Sequence, residues 1–492
     1  MKLKEILKNV KGYEIVGDED LEVFDIASSY KDVKKGSLYI AVENEKQSGN
    51  EEIISAINRG AEAIVLEDEK YLGIIPSKVT KILVPKTNII KAAIACSFFD
   101  NPSTKMKVVG VIGKNWRLET SYFIRQALAE DGKRVGIISQ KYIGIKDKII
   151  SKNNYDLDAV DIQRYLHMMY SEGVEYVVLE VPLESVKYND VIGCKFEGIV
   201  MTDTDVDSSN YLAKMGNISV EEYIDKKLKI FEWSNLNIVN NDDLLADKII
   251  KMSKKSITYG LGNEADYNAF DINLRSKRVD YLLTLPKKME RVVVNIPGLD
   301  IVQASLATIA ILLELGVKIT SLIATLESVK IPGVLETVEN DAKIPVLLDG
   351  AKSGKEIIEK IKKVEEYKTG QILAVLNGDD GLTKKELFEL GETVGKHVDR
   401  LVVTEGNVGK VDPKEIADEI LKGARETKAK SIQILDRKEA IEFVLSKALQ
   451  RDIVMIFGMG EERFLNTKEG KILFDEKKII EEFLKKENTK TE

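Results

Sequence analysis

Residues 110–120 read GVIGKNWRLET, running from the end of the apolar run KVVGVI into the start of a helix-like segment. That is the place for a phosphate-binding loop. In such a loop glycines let backbone N–H groups converge on phosphate, a lysine spans the β and γ phosphates, and a Ser/Thr hydroxyl ligates Mg²⁺. The helix N-terminus adds a favourable partial charge. Gly110 and Gly113 keep the turn, and Lys114 follows it, but Trp116, Arg117 and Leu118 stand where glycine, lysine and hydroxyl are needed. Arginine keeps the charge as a planar fork, which is not a conservative exchange for an ammonium. Leu118 cannot ligate a metal, and Glu119 puts a negative charge in the first helical turn. Losing one well-placed electrostatic group typically costs ~3–4 kcal/mol of transition-state stabilisation. The plain alternative is that the segment is an ordinary strand–turn–helix junction that never held phosphate.

The elements around this turn alternate. KVVGVI, RVGIIS, EYVVLEV, FEGIVMT and NLNIVN are continuous apolar runs, separated by amphipathic segments such as ETSYFIRQALAEDGK, DAVDIQRYLHMMYSEG and SVEEYIDKKLKIFEW. This predicts a parallel sheet covered on both faces. VDYLLTLPKKMERVVVNIPG predicts an antiparallel hairpin beside it, and QASLATIAILLELG a buried helix ending at Gly316. A further alternating unit begins near IPVLLDG and continues through QILAVL, RLVVT, SIQIL and DIVMIF. Upstream, SLYIAV and NEEIISAINRGAEAIVLED mix short strands with a helix. The expected class is α/β in three domains, 1–105, 106–331 and 332–492. The central one is doubly wound and P-loop-type, the last Rossmann-like.

A chain of 492 residues is too long for one core. No run of 18 apolar residues suggests a membrane span. The N-terminus shows no signal-peptide pattern, so a cytoplasmic location is expected. Cys96 and Cys194 lie far apart in sequence, without metal spacing, and read as buried thiols. Only His167 and His397 are present, which excludes a histidine-rich metal site. The net charge of −8 argues against general nucleic-acid binding.

The order of FFDNPSTKMKVVGVIG, GVEYVVLEV, EEYIDKKLKIF, NIVNNDD, ITYGLGNEADYNA, IPGVLETV, LDRKEAI and KILFDEKKII along nearly the whole chain resembles the Mur ligases, in particular those adding the third amino acid to UDP-N-acetylmuramoyl-dipeptide. The resemblance implies a UDP-sugar domain, a central ATPase and a Rossmann-like amino-acid domain, with chemistry through an acyl phosphate. It also implies where functional residues stand. The phosphate loop's Gly-Lys-Thr falls on Trp116-Arg117-Leu118, and the magnesium glutamate on Glu180, followed by Pro182-Leu183-Glu184 where the family has Ser-Ser-His. The Thr-Thr-Pro segment falls on Tyr155-Asp156-Leu157, and Thr-Asn with a later Asp-His on Thr202-Asp203 and Asp207-Ser208. The carbamylated lysine matches Lys227, and the adenine-side motif persists as Asn240-Asn241-Asp242-Asp243. In the last domain Asp349 keeps the aspartate of Asp-Tyr-Ala-His-Thr-Pro, Val334 replaces a linker arginine, Asn407 lies in Gly406-Asn407-Val408-Gly409 where Asp-Asn-Pro-Arg is expected, and Gly458-Met459-Gly460-Glu461-Glu462 replaces Gly-Lys-Gly-His-Glu. In the first domain Ser29-Tyr30-Lys31 and Ser48-Gly49-Asn50 replace Asp-Ser-Arg and Asp-Gly-His.

Core-forming residues persist while chemistry-bearing polar residues change at three sites. The expectation is therefore a Mur-ligase homologue without productive ATP or Mg²⁺ binding and with no metal ligands. It would act as a binding, scaffold or regulatory partner of an active Mur ligase or another cell-wall protein, whether or not it still binds UDP-muramoyl peptide. The competing expectation is a working ATP-dependent ligase with Mg²⁺ and an unorthodox loop using Arg117. For the surviving residues, the plain expectations are a solvated or capping Glu180, an exposed helical Lys227, and Asn240, Asp243 and Asp349 as turn or cap residues. Arg117 with Lys114 would attract an anion weakly, and Trp116 would fill the vacated phosphate space.

Overall fold

The computed structural model describes the chain except residues 45–47, 147, 152–156, 183–184, 187, 205–218, 263, 286–287, 366, 379–380, 407–410, 461, 468–469 and 492. It contains two compact units, residues 1–268 with 303–322, and residues 269–302 with 323–492.

The first unit carries two sheets. The smaller has the order Glu14–Val16, Thr80–Leu83, Ala61–Leu66, Ser37–Ile40, Asp25–Ala27, and only Glu14–Val16 runs antiparallel to its neighbour. The larger places Lys107–Ile112 between Gly198–Met201 and Tyr176–Val181, all parallel. Val135–Ile138 lies beyond Tyr176–Val181, and Asn237–Asn240 and Ser256–Gly260 lie beyond Gly198–Met201. Every residue of Tyr176–Val181 and Gly198–Met201 is buried, Glu180 included, as strands covered on both faces are. After Lys107–Ile112 the chain first builds toward Val135–Ile138. It later crosses to Gly198–Met201 on the other side. The carboxyl ends of Lys107–Ile112 and Gly198–Met201 therefore flank a topological switch point, where open α/β sheets form their ligand crevices.

The alternating runs expected for this sheet all appear as strands. Two short antiparallel strands, Ile143–Ile145 and Lys148–Ser151, extend its edge beyond what the apolar pattern signalled. The helix after the turn begins at Arg117, two residues before the expected ETSYFI run, and buries Phe123, Ile124, Ala127 and Leu128. Cys96 and Cys194 are buried free thiols. Although distant in sequence, they come near one another: a Cβ added at Gly193 would lie 2.7 Å from the Cys96 sulfur.

In the second unit Val279–Leu285 pairs antiparallel with Lys288–Val294, the expected hairpin. A parallel sheet follows in the order Val346–Asp349, Ile453–Phe457, Ile372–Leu376, Arg400–Val403, Lys430–Gln433, with the short Glu336–Thr337 antiparallel at its edge. A two-stranded hairpin, Phe464–Thr467 with Gly470–Leu473, was not anticipated. Among the described residues no helix is long and apolar enough to cross a membrane.

Candidate nucleotide site

The turn after Lys107–Ile112 needs glycine for two reasons. Gly113 has φ +134°, and a Cβ there would meet the Thr202 hydroxyl at 2.0 Å. The loop thus lies directly against the end of Gly198–Met201. Trp116 caps the helix in a left-handed conformation (φ +38°), which is strained for a bulky residue. The next two hydroxyls, on Thr120 and Ser121, turn back onto the helix and donate to the carbonyls of Trp116 and Arg117 at 2.8 Å each.

The loop amides already have an acceptor. The Asp203 carboxylate takes the backbone N–H of Lys114 at 3.0 Å and of Asn115 at 2.8 Å through the same Oδ2, which also accepts from the Thr202 hydroxyl at 3.1 Å. Asp203 is 8 % exposed, and its other oxygen has no hydrogen-bond partner. A carboxylate on successive loop amides at a helix start is the interaction an anion would make there.

Arg117 turns away from any outside anion. Its guanidinium donates to the Gly113 carbonyl and, at 2.6 Å, to the Gln140 side chain, and its Nε lies 3.7 Å from the Glu180 carboxylate. Glu180 ends its strand with 2 % side-chain exposure and accepts the Gln140 backbone N–H at 3.2 Å. Burial raises its pKa above the usual carboxylate range, Arg117 pulls it down, and the neighbouring Glu119, itself buried, pushes it up. Glu180 is thus neither solvated nor a cap; it is the buried partner of Arg117. The Arg117 guanidinium is bonded inside the fold through its terminal nitrogens, while its Nε, which faces Glu180, has no hydrogen-bond partner.

The end of Gly198–Met201 is held from several directions. Asn240 donates to the Thr202 carbonyl at 2.9 Å. Asp243 accepts the Thr204 N–H and hydroxyl, both at 2.7 Å, and the Leu245 N–H at 2.9 Å. Lys227 donates to the Thr204 carbonyl and is 4 % exposed. The expectation of an exposed helical lysine is therefore overturned. Val220–Leu228 turns this position inward, where an ammonium needs an oxygen partner. Asn240 and Asp243 are turn residues, but they also fasten the neighbouring strand. The Trp116 indole nitrogen lies beside the Tyr259 hydroxyl without a hydrogen bond, while that hydroxyl donates to the Met201 carbonyl at 2.9 Å. The groups bonded to the loop amides and facing Glu180 are Asp203 and Arg117. Nothing in the type of Asp203 alone announced this, because the contact spans 88 and 89 residues.

Comparison with known proteins agrees with this architecture. A family model described as the Mur ligase middle domain matches residues 119–312, and one described as the Mur ligase glutamate ligase domain matches residues 335–460. The UDP-N-acetylmuramoyl-L-alanyl-D-glutamate--2,6-diaminopimelate ligase of Caldanaerobacter subterraneus subsp. tengcongensis is 30% identical over 490 residues, covering 98% of this chain and 99% of the relative. This chain belongs to the Mur ligase family. A ligase of the same name from Clostridium acetobutylicum is 29% identical, with 99% of each chain covered. A solved structure of a UDP-N-acetylmuramoyl-L-alanyl-D-glutamate--2,6-diaminopimelate ligase shares the fold, with a TM-score of 0.68, 19% identity and 99% coverage of both chains. So does a MurF ligase from Thermotoga maritima in complex with ADP, with a TM-score of 0.54, 17% identity, and coverage of 96% of this chain and 100% of that one.

The loop amides and Glu180 have partners within the chain, while one Glu180 oxygen is buried without a hydrogen-bond partner. The loop amides carry Asp203, a charge that repels phosphate. Glu180 carries Arg117, a charge that repels a metal ion. Among the described residues no group of three or more His, Cys, Asp or Glu is arranged to hold a metal.

The other Mur-ligase positions are also drawn into local structure. Asp349 is buried and accepts the N–H groups of Leu335 (2.9 Å) and Ala351 (2.8 Å), a capping arrangement. Val334 is buried. Lys352 pairs with Glu462 at 3.2 Å. Ser48 and the Asn50 N–H bind the Glu43 carboxylate, and Ser29 caps a short turn through the Lys31 N–H. Tyr155, Asp156, Leu183, Glu184, Asp207, Ser208, Asn407, Val408, Gly409 and Glu461 lie outside the described residues. Arg437, within LDRKEAI, was not singled out. It is fully buried and bonds Glu476 (2.6 Å), Asn377 (3.0 Å), the Glu405 carbonyl (3.3 Å) and the Phe457 carbonyl (2.8 Å). An arginine beside an N-capping aspartate was the available signal.

Proposed function

We propose that this protein works in the cytoplasmic assembly of peptidoglycan precursors. In this reading it is a binding, scaffold or regulatory partner, of an active Mur ligase or another cell-wall synthesis protein, and does not itself perform ATP-dependent ligation. The observation that carries the reading is Arg117 seated against Glu180, with the guanidinium where the family resemblance puts a metal ion. A second reading has broader support. The relatives matched end to end are named as ligases. This favours an ATP-dependent ligase that joins an amino acid, 2,6-diaminopimelate in those relatives, to the UDP-N-acetylmuramoyl-dipeptide. In that case Arg117 would have to leave Glu180 and serve the nucleotide.

One pair of measurements separates them. Calorimetry with ATP and Mg²⁺ is expected to show no nucleotide binding, and phosphate release with UDP-N-acetylmuramoyl-dipeptide and 2,6-diaminopimelate is expected to stay at background. Micromolar ATP binding with dipeptide-dependent phosphate release establishes the ligase instead.

A further inference from the structure

We infer that Asp203 is a tethered anion that occupies the loop's own anion position, and that Lys227, Asn240 and Asp243 are positioning residues that keep it there. The inference deepens the closed-site reading and rests on it for the exclusion of nucleotide. It stands on the contacts around residues 202–204. Asp203 reaches the loop only if the chain leaving Gly198–Met201 is fixed, and each neighbouring residue is fixed by a different element. Thr202 is tied by Asn240, and Thr204 by Asp243 and Lys227. Their bonds converge on the two residues that bracket Asp203. The side chain so placed is more than nine-tenths buried and puts one oxygen on two successive loop amides and the Thr202 hydroxyl. Its second oxygen is buried without a hydrogen-bond partner, which is a desolvation cost. Gly113 closes the arrangement, because only a residue without a side chain lets the loop come this near to Thr202.

The test is amide hydrogen exchange on the full chain without nucleotide, in wild type, Asp203→Ala and Lys227→Met. Slow exchange at Lys114 and Asn115 is expected in wild type. In Asp203→Ala both amides should exchange about tenfold faster or more, the loss of two charge-assisted bonds, while Val109 and Val178 in the sheet keep their rates. Lys227→Met should accelerate the same two amides by a smaller factor, an effect that local packing at Lys227 would not produce. Sodium pyrophosphate should slow them again in Asp203→Ala, and sodium chloride at equal ionic strength should not. Unchanged rates at Lys114 and Asn115 in a folded Asp203→Ala, or no response to pyrophosphate, overturn the inference. If Asp203→Ala does not fold, Asp203→Asn serves. It keeps an acceptor oxygen but no charge, and rates equal to wild type overturn the inference. Wild type that binds Mg²⁺-ATP yet protects these amides when free would refute the closed-site reading and leave Asp203 as a gate.

Discussion

Arg117→Ala tests whether the guanidinium is a structural counter-ion. At 3.7 Å and an effective dielectric of ~20, its attraction to Glu180 is about 4.5 kcal/mol. Part of that offsets the desolvation of two nearly buried groups, with 13 % and 2 % side-chain exposure. Removing the arginine leaves Glu180 buried beside Glu119, with one fewer favourable term against a burial that already raises its pKa. The carboxyl can escape by taking a proton, which limits the loss, and we expect about 3 kcal/mol near neutral pH. The sign of the pH dependence follows. In the variant the folded-state pKa of Glu180 rises further above its unfolded value, so the folded protein favours the protonated form. The variant is then least impaired in acid and loses stability, relative to wild type, as pH rises through that pKa. Urea denaturation of wild type, Arg117→Ala, Glu180→Gln and the double variant at pH 6 and pH 8 measures this directly. Glu180→Gln should rescue most of the Arg117→Ala loss, giving a coupling above about 1 kcal/mol. Additive losses, or an Arg117→Ala cost below about 1 kcal/mol at both pH values, would refute the internal pairing.

Arg437→Ala strands the buried Glu476 carboxylate and the Glu405 and Phe457 carbonyls, and should lower stability by about 4 kcal/mol in the same denaturation assay. Gly113→Ala places a methyl 2.0 Å from the Thr202 hydroxyl at φ +134° and should cost about 3 kcal/mol, with the loss visible as a lower Tm. The Asp161 carboxyl is pushed up to about 7 by burial and by the adjacent Asp158, with Asp32 adding and Arg164 opposing. Its folded pKa lies above the ordinary 3.8, so its stabilisation is present below about 4 and is lost as pH rises to about 7. Asp161→Asn should flatten the stability profile across that window.

The scaffold was legible because its signals are local. Val108 to Ile112 and Tyr176 to Leu179 carry no charged residue, and such runs mark strands covered on both faces. The hairpin at Val279–Val294 announced itself through alternation around a polar turn. The strands Phe464–Thr467 and Gly470–Leu473 were missed because no comparable apolar run marks them. The site was legible in its addresses but not in its contacts. Glu180 and Arg117 were named from their positions, yet their pairing joins two elements 63 residues apart. Lys227 sits in a lysine-rich stretch that reads as solvated, and only the position of Val220–Leu228 turns that residue inward. The polar residues that matter here act across the sheet, where no periodicity reaches.

At this corner internal pairing and unmet polar atoms stand side by side: Arg117 Nε, Glu180 Oε1 and Asp203 Oδ1 are buried without a hydrogen-bond partner. Here the loop amides already hold Asp203, Glu180 holds Arg117, and Lys227 has a carbonyl. Position 203 is the sharpest instance, because the family resemblance places asparagine there and this chain has aspartate. An amide brings no charge to the loop, whereas a carboxylate takes the amides with charge-assisted bonds and opposes any phosphate that approaches. A phosphate oxygen brought to about 4 Å from it meets a repulsion of ~4 kcal/mol at an effective dielectric of ~20. In the proposed closed-site reading, a nucleotide has to break two internal pairings and overcome like charges at the loop. Arg117→Ala with Asp203→Asn removes both obstacles at once, and that double variant is where nucleotide binding should first be found.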